Sequence, residues 1–568
     1  MTFPELAECL EELEKTGSRL EMTRLLAELY KKVTPYEGRL VAYLSQGRLG
    51  PAYNNPNFGV ADKMMVRVLG PEAEKLFKQL GDLGMVAEKL KAQNPKSKSN
   101  SKIKIQKVYG LLKEIAGEGG AGSQEKKLEL IKILLSDLGP LEAKYATKMI
   151  LGKLRSGFSD MTVLDSLSWM VTGDKSLRKE IERVYNVRAD LGEVVRLVKE
   201  AGSGEKIKKL EVEPVWGTPV LVARAERAKT IAEIWKRNGE SVAEHKLDGL
   251  RIQAHVSKSQ VKLFSRGLED VTAMYPDIAE GLLKQVHTTC ILDGEMIALD
   301  GRGRYLPFQE TAQRKRKYGI TEMIRNVPLK YFVFDLLMAN GKSLLEEANS
   351  ERWSRLEKII GVGGIVKLIP RRVVKSEAEI GKFFEDSLRE GTEGIMVKRA
   401  EGRYQSGSRD FNWIKYKKSY DASGMADTID AVVLGYDAGE GKRSGFGIGG
   451  FLIGVKGDGS DKYLTIAKIG TGLKDDEWRE LKRRCEEIKL LEKPDNYEVG
   501  KQMGCDVWVR PKIVVEIKAD EITKSPMHTS KLALRFPRLV SFRDMKIEDA
   551  TSMKEIERLY KLQKEGGD

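Results

Sequence analysis

Cysteine is scarce in this chain: four in 568 residues, at positions 9, 290, 485 and 505, with no CxxC pair. That excludes a disulfide-stapled scaffold and a four-cysteine zinc module, and leaves reduced thiols, as in an intracellular protein. No stretch approaches the ~18 consecutive apolar residues of a membrane span. The opening residues, MTFPELAECLEELEKTG, carry acidic groups throughout and lack the apolar core of a signal peptide. A cytoplasmic protein with no membrane association is therefore expected. Seventeen prolines and 55 glycines do not amount to a collagen-like chain, and 41% hydrophobic residues excludes wholesale disorder.

What the chain does have is length and basic charge. Its 568 residues suffice for roughly three or four domains. Lysine and arginine (98) exceed aspartate and glutamate (84), giving +14, and the excess is uneven. Residues 1–212 hold 36 basic and 29 acidic side chains (+7), residues 213–419 hold 36 and 28 (+8), and residues 420–568 hold 26 and 27 (−1). This balance points to a polyanionic partner gripped mainly by the first two-thirds of the chain. Charged residues at 32% would also suit a thermophile.

Three textures succeed one another. Residues 1–205 read as all-helical, with apolar residues at helical spacing such as Leu128, Leu130, Ile131, Ile133, Leu134, Leu135 and Leu138. Two breaks interrupt them, the polar loop Asn94–Ser101 and the glycine-rich turn Gly117–Ser123, and Ala201–Lys209 reads as a linker. Residues 206–419 read as α+β. Strands are expected at Arg251–His255, Gln260–Phe264, Cys290–Ala298 and Tyr331–Leu336, and helices at Ala223–Arg237 and Glu351–Ile360. Residues 420–568 read as a small β-barrel of OB type, with short strands between glycine-marked turns and one helix at Asp475–Leu490.

The first chemical signal is Lys246-Leu-Asp-Gly249 within EHKLDGLR. KxDG occurs twice, however, and Lys456-Gly-Asp-Gly459 is explained by a hairpin turn alone. Lys246 stands out through the ordered series downstream of it: Ser265-Arg-Gly-Leu-Glu-Asp270, Leu292-Asp-Gly-Glu-Met296, Tyr331-Phe-Val-Phe-Asp335, Glu393-Gly-Ile-Met-Val-Lys-Arg399, Trp413-Ile-Lys-Tyr-Lys-Lys418 and Arg535-Phe-Pro-Arg-Leu-Val-Ser-Phe-Arg-Asp-Met-Lys546. Upstream lie Gly139-Pro-Leu-Glu-Ala-Lys144 and Ile150-Leu-Gly-Lys-Leu154. In these motifs and their order the chain resembles the ATP-dependent DNA ligases of the archaeal and eukaryotic replicative type, over nearly its whole length.

The residue types suit that chemistry. An unprotonated lysine amine can attack the α-phosphorus of ATP, and the basic residues around Lys246 would favour loss of its proton. Carboxylates beside glycine, Glu295 and Glu393, suit a Mg²⁺ ion completed by waters, with Mn²⁺ as a substitute. Lys415 and Lys417 alternate on one strand face and could converge on a phosphate.

The resemblance implies the roles. Lys246 becomes adenylated, Glu244 reads the adenine amino group, and Arg251, Arg266 and Arg409 contact the nucleotide, as do Glu295, Lys415 and Lys417. Phe334 stacks on the base, although a core position within YFVFDLL is the competing reading; a solvated face is preferred for Lys418. In the barrel, Arg535, Arg538, Arg543 and Lys546 would orient pyrophosphate when that domain closes. Ser541 stands where the family has a basic residue and Met545 where it has an acidic one, which puts the closure contacts in question. The expected substrate is nicked double-stranded DNA, sealed in replication, repair and recombination by a monomer.

Two other readings compete: an RNA ligase or capping-type guanylyltransferase with the same core, and a non-catalytic DNA-binding protein. The helical N-terminal region opposes the first, and the intact lysines and carboxylates oppose the second. The four-cysteine module of the NAD⁺-dependent class is absent. Related archaeal proteins can carry a sliding-clamp-binding peptide near 94–105, but NPKSKSNSKIKI lacks the paired aromatics it needs, so nothing in the sequence supports a clamp as partner.

Overall fold

The computed structural model describes residues 1–93, 102–120, 122–154, 157–316, 318–361, 363–417, 428–439, 441–458, 461–543 and 547–565. The chain divides into two compact units, Met1–Lys415 and Tyr416–Asp568. The boundary expected at 419/420 falls outside the described residues. So do the Asn94–Ser101 loop and Lys418.

From Phe3 to Lys208 the first unit is helical. Helices begin where a short polar side chain can accept a backbone N–H of the first turn: Thr2, Ser18, Thr34, Asp82, Asp190 and Ser203 each do so. Glu5 and Glu37 reciprocate at Thr2 and Thr34, completing capping boxes. Of the leucine-rich stripe, Leu128, Ile131, Leu134, Leu135 and Leu138 are buried, whereas Ile133 is exposed because it lies off the 3.6-residue stripe. The expected linker is instead partly helix. Ser203 caps Gly204–Lys208, and Ile207 is fully buried in the helical core.

The strands of the α+β part are β1 (Arg224–Arg227), β2 (Ser241–Lys246), β3 (Leu250–Val256), β4 (Val261–Ser265), β5 (Cys290–Ala298), β6 (Leu329–Ala339), β7 (Lys342–Ser343), β8 (Val366–Leu368), β9 (Arg371–Val374), β10 (Gly394–Arg399) and β11 (Arg409–Lys417). One sheet has the order β1-β11-β10-β2-β9, the other β4-β3-β5-β6-β7 with β8 along β6. The helix expected over Ala223–Arg237 therefore starts only at Ile231, after Thr230 caps it. Its first part is β1, because parallel pairing with β11 outweighs local helix preference.

The chain passes from one sheet to the other through Lys246–Gly249, between β2 and β3. Gly249 runs so close to β5 that a Cβ there would meet the Met296 carbonyl oxygen, which explains glycine at this position. The helical region adjoins the second sheet through Tyr53, whose ring meets Phe264 edge-on at 5.7 Å. A backbone bond from Leu221 N–H to the Asn186 carbonyl (2.8 Å) adds to this contact.

Tyr416–Asp568 is β-rich. Strand Ile429–Asp437 pairs with Val514–Lys518 along its first half, with Val507–Val509 along its second, and with Gly450–Lys456 on its other edge, so the sheet curls. This is the small barrel read from the sequence. The second KxDG begins at Lys456, the last residue of strand Gly450–Lys456, which pairs antiparallel with Tyr463–Ile469; its Gly459 lies outside the described residues. No described helix is long and apolar enough to cross a membrane, and all four cysteines are free.

Asp335 on β6 and Arg352 on the helix Asn349–Ile359 form a fully buried bidentate pair at 2.7 and 3.0 Å. Removing one partner strands a charge in the interior. Asp335→Ala should lower the stability of this unit by about 3–5 kcal/mol; an unchanged denaturant midpoint would contradict the pairing.

Candidate active site

Lys246 ends β2, opposite Gly394 of β10. Its Nζ lies 2.6 Å from a Glu393 carboxylate oxygen, and the Glu393 N–H donates to the Lys246 carbonyl at 3.0 Å. Both side chains are about four-fifths covered (21% and 18% exposed), so the pair sits at an opening rather than in the core. The group in contact with Lys246 is thus a carboxylate, where basic neighbours were expected from the sequence.

Glu295 faces the same region from β5. Burial, with repulsion from Asp293 and Asp248, pushes its carboxyl up to about 7 against the pull of Lys246 and Arg251. A half-buried carboxylate with so high a pKa is under-compensated for its charge. Glu295 and Glu393 fit a divalent cation that takes one or two protein carboxylates and completes its shell with waters and phosphate oxygens. Among the described residues no cluster of three or more His, Cys, Asp or Glu side chains stands ready as a closed metal site.

On the same face of β2, two residues before the lysine, Glu244 is buried. Lys398 of β10 donates to one of its oxygens at 2.7 Å and lies 4.8 Å from the Phe334 ring centroid and 4.1 Å from that of Trp413. Phe334 is half-buried. The β5–β6 register passes from Asp293↔Asp335 to Gly294↔Val333, so Phe334 is the extra residue of a β-bulge. Bulges re-aim a side chain, which takes this ring out of the regular in–out alternation of YFVFDLL.

Arg251 is not free. Its guanidinium grips the fully buried Asp293 bidentately (3.1 and 2.7 Å) and donates to the Ala223 carbonyl (2.8 Å), while the Tyr404 hydroxyl donates to Asp293 at 2.6 Å. It also lies over Phe334 and Trp413, at 5.4 and 5.5 Å. Arg266 is exposed in the turn after β4. Arg409 and Lys415 are six residues apart in sequence but pair with Arg224 and Arg227, three apart, because β11 bulges between Asp410 and Ile414. Lys417 shares the strand two residues beyond Lys415.

The described arginines of the last motif are held by ion pairs within the second unit, at its surface or partly exposed. Arg535 pairs with Glu521 (2.9 Å), Arg538 with Asp520, and Arg543 with Asp430 (3.1 Å). Ser541 donates to Glu516 at 2.7 Å, accounting for a serine at that position. Lys546 and Met545 lie outside the described residues.

Sequence reasoning missed Lys398, Trp413, Tyr404 and Asp293. Lys398 was within reach: it sits in the EGIMVKR run, in alternation with Gly394 and Met396 on the strand paired to β2.

A strand-end lysine, two carboxylates suited to a cation and a ring beside a buried carboxylate can together move a nucleotide through a lysine adduct, which is the chemistry of a covalent nucleotidyltransferase. Family models agree on what kind. The ATP-dependent DNA ligase domain matches residues 222–417, the DNA ligase N terminus residues 2–168, and the ATP-dependent DNA ligase C-terminal region residues 444–546. A probable DNA ligase of Dictyoglomus turgidum is 41% identical over 99% of this chain and 98% of its own. The DNA ligase of Nitrosopumilus maritimus is 36% identical over the same shares. A solved structure, Pmar-Lig_PreS3, is alike in fold, with a TM-score of 0.53 over 95% of this chain and 99% of that one at 17% identity. The chain belongs to the ATP-dependent DNA ligases, enzymes that seal nicks in DNA.

The raised Glu295 carboxyl has a signed consequence. Between the ordinary glutamate value and about 7 the unfolded chain ionises this group first, so its contribution to stability is complete below that window and is lost as pH rises through it. Glu295→Gln should therefore stabilise the metal-free protein at pH 8, by at most about 3 kcal/mol, and leave it unchanged at pH 4. An equal shift at both pH values would rule this out.

Proposed function

We propose that Lys246 is the nucleophile that carries AMP, and that the residues gathered around it divide the remaining work of nick sealing. The observation that carries this reading is the 2.6 Å Lys246–Glu393 pair at the mouth of the junction between the sheets. It supplies a lysine and an acidic group that can let go of it, both partly exposed.

In the first step Nζ attacks the α-phosphorus of ATP. A P–N bond forms, the bond to the bridging oxygen breaks, pyrophosphate leaves and the amine proton passes to water. The amine needs its lone pair, so Glu393 has to be drawn off Nζ beforehand. Mg²⁺ or Mn²⁺ held by Glu295 and Glu393 with waters would neutralise phosphate charge there.

Phe334 gives the base a stacking face, and Glu244 accepts from its amino group. Lys415 and Lys417 face the phosphates, with Arg409 brought closer by the β11 bulge. Arg251 acts as a support, fixing Asp293 and the aromatic pair beneath the nucleotide. Arg266 is left for the ribose or phosphate side. In the second step an oxygen of the 5′-phosphate attacks the same phosphorus and the lysine departs. In the third the 3′-hydroxyl attacks the DNA phosphate, and AMP leaves as the phosphodiester forms. Positioning and charge stabilisation carry all three.

Arg535, Arg538 and Arg543 would have to exchange their partners in the barrel for pyrophosphate oxygens, and that exchange sets a cost on closure. The enzyme is read as an intracellular monomer acting on nicked duplex DNA. The loop considered for a sliding clamp lies largely outside the described residues and adds no support for that partner.

Lys246→Ala should abolish the covalent AMP adduct formed from labelled ATP while nick binding persists; an adduct on the variant would sink the assignment. Nick binding should itself weaken by about tenfold or more between 50 and 200 mM salt, because its contacts are mostly to phosphates. A flat salt response in a titration of labelled nicked DNA would contradict a phosphate-based grip.

A further inference from the structure

Two buried polar atoms beside the lysine's strand have no hydrogen-bond partner among the described residues: Oε1 of Glu244 and Nη1 of Arg371. They lie 4.0 Å apart, because Glu244 on β2 and Arg371 on β9 are register partners. At that separation they attract but do not hydrogen-bond each other. Each side chain is fixed at its other end. Lys398 holds the second Glu244 oxygen, and the Arg371 guanidinium lies over Trp353, 4.0 Å from the ring centroid.

A carboxylate can only accept and a guanidinium only donate. The result is a rigid acceptor beside a rigid donor, both buried, and leaving such atoms unmet is unfavourable. The arrangement adjoins the base platform, since Lys398 touches both Glu244 and the Phe334 ring.

Adenine has the complementary edge: an amino group that donates, beside a ring nitrogen that accepts. Guanine presents an acceptor oxygen in place of that amino group, which Glu244 would repel. A ring stacked on Phe334 could be any purine, so the choice of base has to be made at its edge. We propose that Arg371 is a specificity-determining residue, donating from Nη1 to the ring nitrogen next to the adenine amino group while Glu244 accepts from that amino group. The proposal rests on the assignment of Glu244 made under the proposed function and adds Arg371 to it. Lysine should not replace Arg371, because an ammonium lacks the planar fork that stacks on Trp353.

The test follows formation of the covalent AMP-type adduct by the full-length enzyme with ATP, 1-deaza-ATP, 7-deaza-ATP, purine riboside triphosphate and GTP. Wild-type enzyme should lose about 10–100-fold in adenylation efficiency with whichever deaza analogue removes the contacted nitrogen. Arg371→Met should lose a similar factor with ATP and show no further loss with that analogue. Arg371→Lys should behave as Arg371→Met does.

The proposal is overturned if wild-type enzyme accepts both deaza analogues as readily as ATP, a comparison that needs no variant. It is overturned equally if either variant keeps the full wild-type discrimination. Purine riboside triphosphate charged as well as ATP would overturn it through Glu244. In each case an adduct formed from ATP on Lys246 would leave the ligase mechanism standing.

Discussion

The structure around the lysine depends on one constraint: charges taken out of water must be met inside the protein. Glu244 with Lys398, Asp293 with Arg251, and Asp335 with Arg352 are three such pairs, each joining residues distant in sequence. A buried pair of this kind adds little net stability compared with well-packed apolar residues, but breaking one is costly. Its main effect here is geometric. Asp293 holds Arg251 over the rings of Phe334 and Trp413, and Lys398 holds Glu244 beside Phe334. Register then brings the remaining polar atoms to fixed places.

Lys246 and Glu393 are more exposed than these pairs and meet both through their side chains and through a backbone hydrogen bond, while Glu295 carries a proton more readily than an ordinary glutamate. Two irregularities in the sheets also shape this region. The bulge at Phe334 turns a ring out of a core strand, and the bulge in β11 draws Arg409 toward Lys415. In the barrel Arg535, Arg538 and Arg543 are each paired with a carboxylate of the same unit, Glu521, Asp520 and Asp430.

Much of this is legible in the amino-acid chain. The motif order around Lys246 points to the DNA ligase family that the comparisons show, and strands β3, β5 and β6 are readable from alternation and turn residues. Where the reading failed, local signals met a tertiary partner. Arg224–Arg227 has helical neighbours yet pairs with β11. Ala201–Lys209 looks like a polar linker, yet Ile207 finds the helical core. The basic surroundings expected for Lys246 were counted along the chain, whereas the group that reaches it, Glu393, is brought from far downstream by pairing of β10 with β2.

By itself, then, the sequence determined which residue types the chemistry has and the order of the three textures along the chain, because both depend on side-chain identity and short-range periodicity. It placed a glycine after the lysine's aspartate, but the reason for that glycine is the close approach of β5. Tertiary structure alone decided that Asp293 and the Ala223 carbonyl hold the Arg251 guanidinium, that Phe334 leaves its strand's alternation, and that Glu244 and Arg371 present an unmet acceptor and donor side by side. These are matters of strand register and burial, and both arise only when segments far apart in the chain are brought into contact.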